Sequence, residues 1–336
     1  MKKDKIRVGI IGAGGTIGRF HTHLLAEVVP GAEVVLLQDI RPEVCGDQSK
    51  RWNLSTCRDG NELIHSPEVE AVVIASWDET HADYVRECLA AGKPVFCEKP
   101  LATNVEDAID VLEAAKRSPK ASVQVGFMRR FDPYYVELKA ALDSGDYGAP
   151  LMMHCVSRTP AVDNRHTSEM HVTNIVIHEI DCCRWLLGED LLKGQMVWGR
   201  STGFAKPGLA DPQLALMWSQ SGVLIDVEAA ANAHYGYEIG CEVVCEKGTL
   251  TLGQPPSLVT RFKGGYQSSI TASWQDRFAV AYEEELSHWI EGLHKEEGTS
   301  NNAPGVEDGF QACLTADALL RSIKSKQIEQ IQQPLK

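Results

Sequence analysis

Apolar residues recur along this chain in two rhythms, and the change between them falls near residue 126. Before it, short apolar runs alternate with amphipathic stretches. IRVGIIG is an apolar run closing on glycines, the pattern of a strand buried in a parallel sheet. Helical spacing follows over 17–28, with Pro30 and Gly31 to stop it. AEVVLLQD and EAVVIAS read as the second and third strands, and ADYVRECLAAGK as a helix closing at Gly92. PVFCEK is a fourth strand, VEDAIDVLEAAKR a helix and SVQVGF a fifth strand. Such repetition predicts an α/β fold whose first domain, 1–125, is a doubly wound parallel sheet receiving ligands at the carboxyl ends of its strands.

After residue 126 the pattern predicts two helices, over 133–143 and 168–187, and then a series of strands. These are GQMVWGR, LALMWSQ, GVLIDVEAAA, GCEVVCE, GTLTLG and SLVTRF, several joined by short glycine turns such as SQSG and EKG. Two helices near 280–294 and 305–325 follow, and the tail IEQIQQPLK is expected to fray. Residues 126–336 therefore read as a second α/β domain with an open, largely antiparallel sheet.

Composition narrows the function classes. With 43% hydrophobic and 24% charged residues, the chain is of ordinary globular make-up. It contains no apolar run long enough to span a membrane. Its opening, MKKDKIRVGIIG, has too short an apolar run for a signal peptide, so a cytoplasmic protein is expected. A net charge of −13, with 33 Lys and Arg residues in no cluster, argues against nucleic-acid or membrane-surface partners. Ten cysteines without a C-x-x-C read as buried free thiols. Cys182 and Cys183 fall in a helical pattern, and Cys241 and Cys245 share one strand face. No Cys/His cluster has ligand spacing, so no metal is expected.

GIIGAGGTIGRFHTH bears on chemistry first. Its glycines, Gly12, Gly14 and Gly18 with Gly15 between, give G-x-G-x-x-x-G, one residue longer than a dinucleotide fingerprint. Gly12 and Gly14 permit a tight turn, and Gly18 permits close packing of helix on strand. The helix start would then receive a pyrophosphate. Asp39, 21 residues beyond Gly18, is placed to accept from ribose hydroxyls and to repel a 2′-phosphate. NAD is favoured over NADP, which Arg41 keeps open. CEKPLA sets Lys99 at the end of the fourth strand, where Pro100 disfavours helical geometry and permits a cis bond. The plain alternative is an exposed lysine. In TNIVIHEIDCCRWLLG, Asn174, His178 and Asp181 are spaced to share one helix face. In GFMRRFDPYY, Arg129 and Arg130 follow the fifth strand, with surface salt bridging as their plain reading.

Taken together, IGRFH, AGKPVFCEKPLA, QVGFMRRFDPYY and HEIDCCRWLLG resemble the Gfo/Idh/MocA oxidoreductases, and the chain is most similar to their inositol 2-dehydrogenase branch. HYGYEIGCEVVCEKGTL and DRFAVAYEEEL extend the resemblance through the second domain. It implies an N-terminal Rossmann domain, a C-terminal α/β domain with an open sheet, and assembly as a homodimer or homotetramer. The activity implied is NAD(P)-dependent oxidation of a secondary alcohol of a cyclic polyol, inositol-like, or of a sugar.

Carried over by position, Lys99 contacts the substrate hydroxyl and His178 is the general base. Arg129 stands on the substrate side, and Tyr235 and Tyr237 line the pocket. Asn174 stands where inositol dehydrogenases have Asp, and Ser157 where they often have His. The amide keeps an acceptor, loses the charge and gains donors, which bears on the choice of substrate. Asp181 either orients the imidazole, binds a hydroxyl or is structural. Around the cofactor, Thr16 and Ile17 join the glycines at the helix start, and Ser76, His81 and Glu98 join Lys99 and Asp39 past later strands. Two other readings stay open: a glycoside-acting enzyme that recycles tightly bound NAD, and a non-catalytic NAD and ligand sensor.

Overall fold

The computed structural model describes residues 5–119, 121–254, 259–295 and 303–333. The chain divides into two compact units, Met1–Met128 with Tyr282–Cys313, and Arg129–Ala281 with Leu314–Lys336. The first unit is therefore discontinuous, unlike a division into 1–125 and 126–336.

Unit one holds a six-stranded parallel sheet. Its strands are β1 (Ile6–Ile11), β2 (Ala32–Gln38), β3 (Ser55–Cys57), β4 (Ala71–Ile74), β5 (Val95–Glu98) and β6 (Val123–Gly126), in the order β3-β2-β1-β4-β5-β6. Its centre is dry: Val8, Ile10, Ile11, Val72, Val73, Ile74, Val95 and Phe96 are fully buried. β3 was not expected, because STC is too short and polar to give a strand pattern. Connections include α1 (Thr16–His23), α2 (Gly46–Trp52), α3 (Gly60–His65), α4 (His81–Ala90) and α5 (Val105–Arg117). Local chemistry sets their ends. Asn104 caps α5 by accepting from Asp107 N at 2.8 Å, with Glu106 and Asp107 in the first turn and Lys116 and Arg117 in the last.

Unit two begins with α6 (Pro133–Asp143) and continues through β7 (Pro150–Arg158), α7 (Ile177–Leu187), β8 (Leu191–Val197), β9 (Gln213–Ser219), β10 (Leu224–Ala230), β11 (Glu238–Cys245) and β12 (Gly248–Thr251). A small hairpin pairs β13 (Thr260–Phe262) with β14 (Gly265–Gln267). SLVTRF supplies β13, while its Ser257 and Leu258 lie outside the described residues. Two long helices follow, α8 (Trp274–Lys295), which belongs to unit one from Tyr282 on, and α9 (Val306–Ser325), which belongs to unit two from Leu314 on, and then β15 (Glu329–Gln330). The large sheet runs β12-β11-β7-β10-β9-β8-β15. It is antiparallel except at β7–β10, where His154 faces Asp226 in a parallel pair. The tail expected to fray instead pairs Glu329 and Gln330 with β8; its last residues, 334–336, lie outside the described residues. All ten cysteines are free and buried. Among the described residues no helix is long and apolar enough to cross a membrane, and no group of three or more His, Cys, Asp or Glu is placed to hold a metal.

Candidate active site

In unit one the sequence candidates gather at the carboxyl ends of β1, β2, β4 and β5. Gly12 leaves β1 with φ +78°, a conformation that glycine alone adopts freely, and its N–H donates to Gln38 O at 2.9 Å. A Cβ on Gly12 would stand 2.4 Å from Ala75 O, and one on Gly18 2.2 Å from Gly12 O. Both positions must therefore be glycine, and the added residue lengthens the turn without displacing either. A Cβ on Gly14 would meet Val44 at 2.1 Å and Asp39 at 2.6 Å. Gly15 is different: a Cβ there would find nothing nearer than 3.4 Å. Gly15 is the residue before α1, and no side chain caps the helix. Its first N–H groups, at Thr16 and Ile17, face no side-chain acceptor, as an anion site requires. The cradle fits a dinucleotide pyrophosphate.

Asp39 is half-buried at the end of β2 and already shapes this loop. Its Oδ2 accepts from Gly14 N at 3.2 Å and its Oδ1 from Arg41 N at 3.0 Å. A carboxylate has further lone pairs, so capacity for ribose hydroxyls remains. The Arg41 side chain is exposed. Ser76 follows β4, and its hydroxyl bonds that of Thr80 at 2.7 Å. His81, buried, places Nδ1 2.7 Å from Pro100 O and Nε2 3.2 Å from Ser76 O, so the ends of β4 and β5 are tied through one imidazole. The Lys99–Pro100 bond is cis. Glu98 is buried, with its carboxylate held by His21 Nε2 at 2.7 Å and by the Lys99 N–H at 3.2 Å. Lys99 itself is half-buried, and its ammonium has no ion pair among the described residues.

In unit two the expected polar stripe is broken. Residues His171–Val176 form a π-helical turn ahead of α7, and Asn174 lies within it. Asn174 and His178 are both half-buried and accessible, whereas Asp181 turns inward and is 1% exposed. Asp181 accepts from Arg130 Nε at 2.9 Å and from a second guanidinium nitrogen. Arg129 is likewise 1% exposed: it pairs with Glu179 and reaches Ser157 Oγ at 3.4 Å. The two arginines, read plainly as surface groups, are instead the partners of buried carboxylates on α7. Asp132 completes the set by pairing with the buried Arg277 at 2.7 Å. Burial lifts the Glu179 carboxyl to about 7 against the opposing pull of Arg129. Tyr237 packs edge-on to Phe278 at 6.3 Å, and burial raises its phenol against the opposing pull of the Arg129 charge. Tyr235 is 55% exposed, its hydroxyl taken up by Arg158 at 3.1 Å and by Glu238.

Sequence reading passed over several groups that hold the loop. Arg19 donates from Nε to Gly14 O at 3.0 Å, from Nη2 to Val44 O, and from Nη1 to Asp47 at 2.7 Å. Gln38 Oε1 accepts from Gly12 N at 3.2 Å, and Gln48 Nε2 donates to Ala13 O at 2.8 Å. The signals were present: a charged residue directly after Gly18, and an amide closing the apolar run AEVVLLQ.

Comparison with known proteins identifies the family. Residues 6–127 match the NAD-binding Rossmann domain of the GFO_IDH_MocA oxidoreductase family, and residues 139–331 match its C-terminal α/β domain. The chain is 41% identical to inositol 2-dehydrogenase of Burkholderia lata over 97% of its own length and 96% of that protein's. It is 40% identical to inositol 2-dehydrogenase 3 of Saccharopolyspora erythraea, over 96% and 94%. Myo-inositol dehydrogenase of Lactobacillus casei, solved in complex with NAD(H) and myo-inositol, superposes with a TM-score of 0.94 at 34% identity, covering 99% of this chain and 98% of that one.

Proposed function

The chain belongs to the Gfo/Idh/MocA family of oxidoreductases, and from that premise we propose that it is an NAD-dependent dehydrogenase of an inositol-like cyclic polyol. The observation that carries this reading is within unit one. The glycine cradle and Lys99 stand at the carboxyl ends of β1 and β5, one strand apart in the same sheet, where open α/β sheets take their ligands. The identity to inositol 2-dehydrogenases over nearly the whole chain supplies the substrate class.

When bound, NAD supplies the hydride acceptor at its nicotinamide. The chain's own residues do the rest. The backbone N–H groups at the start of α1 hold the pyrophosphate, and Asp39 accepts from a ribose hydroxyl, which disfavours a 2′-phosphate. Lys99 donates to the carbinol oxygen and stabilises its developing negative charge. His178 takes the hydroxyl proton. Asn174, one acceptor and two donors, fixes a neighbouring hydroxyl. For Arg129 a place under the helix replaces the substrate-side role implied by the resemblance, and for Asp181 the structural reading is the one taken up. Each is buried in an ion pair that sets the orientation of α7, the helix bearing His178. Ser157 accepts from the Arg129 guanidinium at 3.4 Å, and the Arg129 charge acts on the Tyr237 phenol.

We further read the protein as cytoplasmic and self-associating. On one face of the large sheet, half-buried Leu214, Leu216 and Trp218 of β9 stand beside Glu228, Asp226 and Leu224 of β10, a mixed apolar and charged surface of the kind that non-obligate interfaces use. Light scattering should give at least twice the chain mass. The activity test is a panel of inositol isomers and sugars followed at the NADH absorbance band with NAD and with NADP. Oxidation of an inositol isomer, faster with NAD, is expected. Oxidation of sugars alone would move the assignment to a sugar dehydrogenase, and faster reaction with NADP would overturn the role given to Asp39.

A further inference from the structure

Lys99 is positioned by its backbone, since its ammonium has no ion pair among the described residues. That backbone rests on Glu98. A carboxylate 6% exposed needs donors to remain buried. Its donors are the Lys99 N–H at 3.2 Å and His21 Nε2 at 2.7 Å. A carboxylate only accepts, so the imidazole carries a proton on Nε2. Space for the pair is reserved by Gly126, where a Cβ would come within 3.0 Å of the Glu98 carboxyl. His21 is fully buried, edge-on to Phe96 at 5.4 Å and to Tyr282 at 5.9 Å, and its Nδ1 has no partner among the described residues. Of its two ring nitrogens, only the one facing Glu98 is engaged among the described residues.

His21 sits on α1, the helix that opens at the glycine cradle. The next residue, Thr22, bonds back from its hydroxyl to Gly18 O at 2.7 Å. A chain of short contacts thus runs from the cradle through α1 and Glu98 to the Lys99 amide. We propose that His21 is a positioning residue for Lys99: through the Glu98 carboxylate it locks the lysine backbone to the helix that receives the pyrophosphate. The inference rests on the role given to Lys99 above. It assigns His21 no contact with substrate or cofactor.

Three variants of the full-length enzyme test it. His21→Leu fills the space without donating, His21→Gln keeps an amide donor, and Lys99→Ala is the control. For His21→Leu, kcat should fall roughly tenfold or more, as misplacement of a reacting group does, while His21→Gln should stay within about threefold of the parent. NADH affinity, read by fluorescence titration, should be unchanged in both. Pulse acylation of amines, read by mass spectrometry, should show a changed reactivity of Lys99 in His21→Leu against constant reactivity of the other lysines. Parent-like kcat in folded His21→Leu overturns the proposal, and so does equal impairment of the Leu and Gln variants. If His21→Leu does not fold, Glu98→Gln decides: reduced kcat with retained NADH affinity supports the proposal, and parent-like kcat overturns it. Parent-like turnover in Lys99→Ala would instead overturn the role of Lys99. Loss of turnover there, with none in His21→Leu, would leave that role standing and remove His21 from it.

Discussion

Two side chains carry the proposed proton chemistry, and two others that look equally chemical in the sequence, Arg129 and Asp181, are buried in ion pairs. Replacing Lys99 or His178 by alanine should each lower kcat about 100-fold or more, the usual worth of an acid–base or charge-stabilising group. NADH binding, followed by fluorescence, should persist in both. Arg129 belongs to the other class. It is buried against Glu179, and removing one partner of a buried ion pair leaves an uncompensated charge. Arg129→Leu is therefore expected to lower unfolding stability by about 3–5 kcal/mol, measured by urea denaturation. Unchanged stability with a raised KM would return Arg129 to the substrate. Nothing in the spelling MRRFD separates these outcomes. An arginine near a ligand and an arginine under a helix follow a strand end equally well, and only burial tells them apart.

At the scale of elements, legibility followed periodicity. The buried strands of unit one and the helices over 133–143 and 306–325 were readable because their apolar spacing matches a single regular geometry. β7 was missed although it is central to its sheet. PLMMHCVSR places His154 and Arg158 on the exposed side of an otherwise apolar run, so its pattern names no element. The π-helical turn His171–Val176 was missed for a different reason: its wider turns shift the phase, so a spacing of i, i+4, i+7 no longer keeps one face. That shift sends Asp181 inward to Arg130. The turn is pinned by a buried polar cluster that the sequence did not flag. His166 Nε2 lies 3.2 Å from His171 Nδ1, and His171 Nε2 lies 3.2 Å from Asp211 Oδ1. Asp211 also accepts from Ala231 N and from Asn232, each at 2.8 Å. Burial, with His171 and Lys206 nearby, drives the His166 imidazole down to about 4. The unfolded chain would protonate this histidine near pH 6.5, where the folded chain does not. Stability should therefore fall as pH drops from 6.5 toward 4. Denaturant melts should show the parent losing about 1.5 kcal/mol more than His166→Gln between pH 6.5 and 5. Parallel losses in the two proteins would place the acid sensitivity elsewhere.

For the whole molecule, the informative fact is that the nucleotide-binding unit is not finished when its sheet is. Chain order suggests a domain complete by residue 125, yet Tyr282–Cys313 packs with it. The returning segment is not decoration. Leu286, Trp289, Ile290 and Phe310 are at most 2% exposed. Trp289 meets the ring of Phe96, on β5 next to the edge strand, at 5.8 Å. β6 is an edge strand, and its Val125 N–H donates to Pro304 O at 2.8 Å, while the Gln124 side chain donates to Glu285 O at 3.2 Å. Gly309 is glycine because Leu101 and Val125 press against it: a Cβ there would stand 2.9 Å from Leu101. Each large apolar side chain withdrawn from this packing costs roughly 2 kcal/mol, against a total stability of about 5–15 kcal/mol for a domain. A fragment of residues 1–128 should therefore lack a cooperative thermal transition and bind no NADH by fluorescence. The same fragment fused through a flexible linker to residues 282–313 should recover both. Cooperative unfolding and NADH binding by 1–128 alone would show that the Rossmann sheet is self-sufficient, and that the returning segment is a passenger on it.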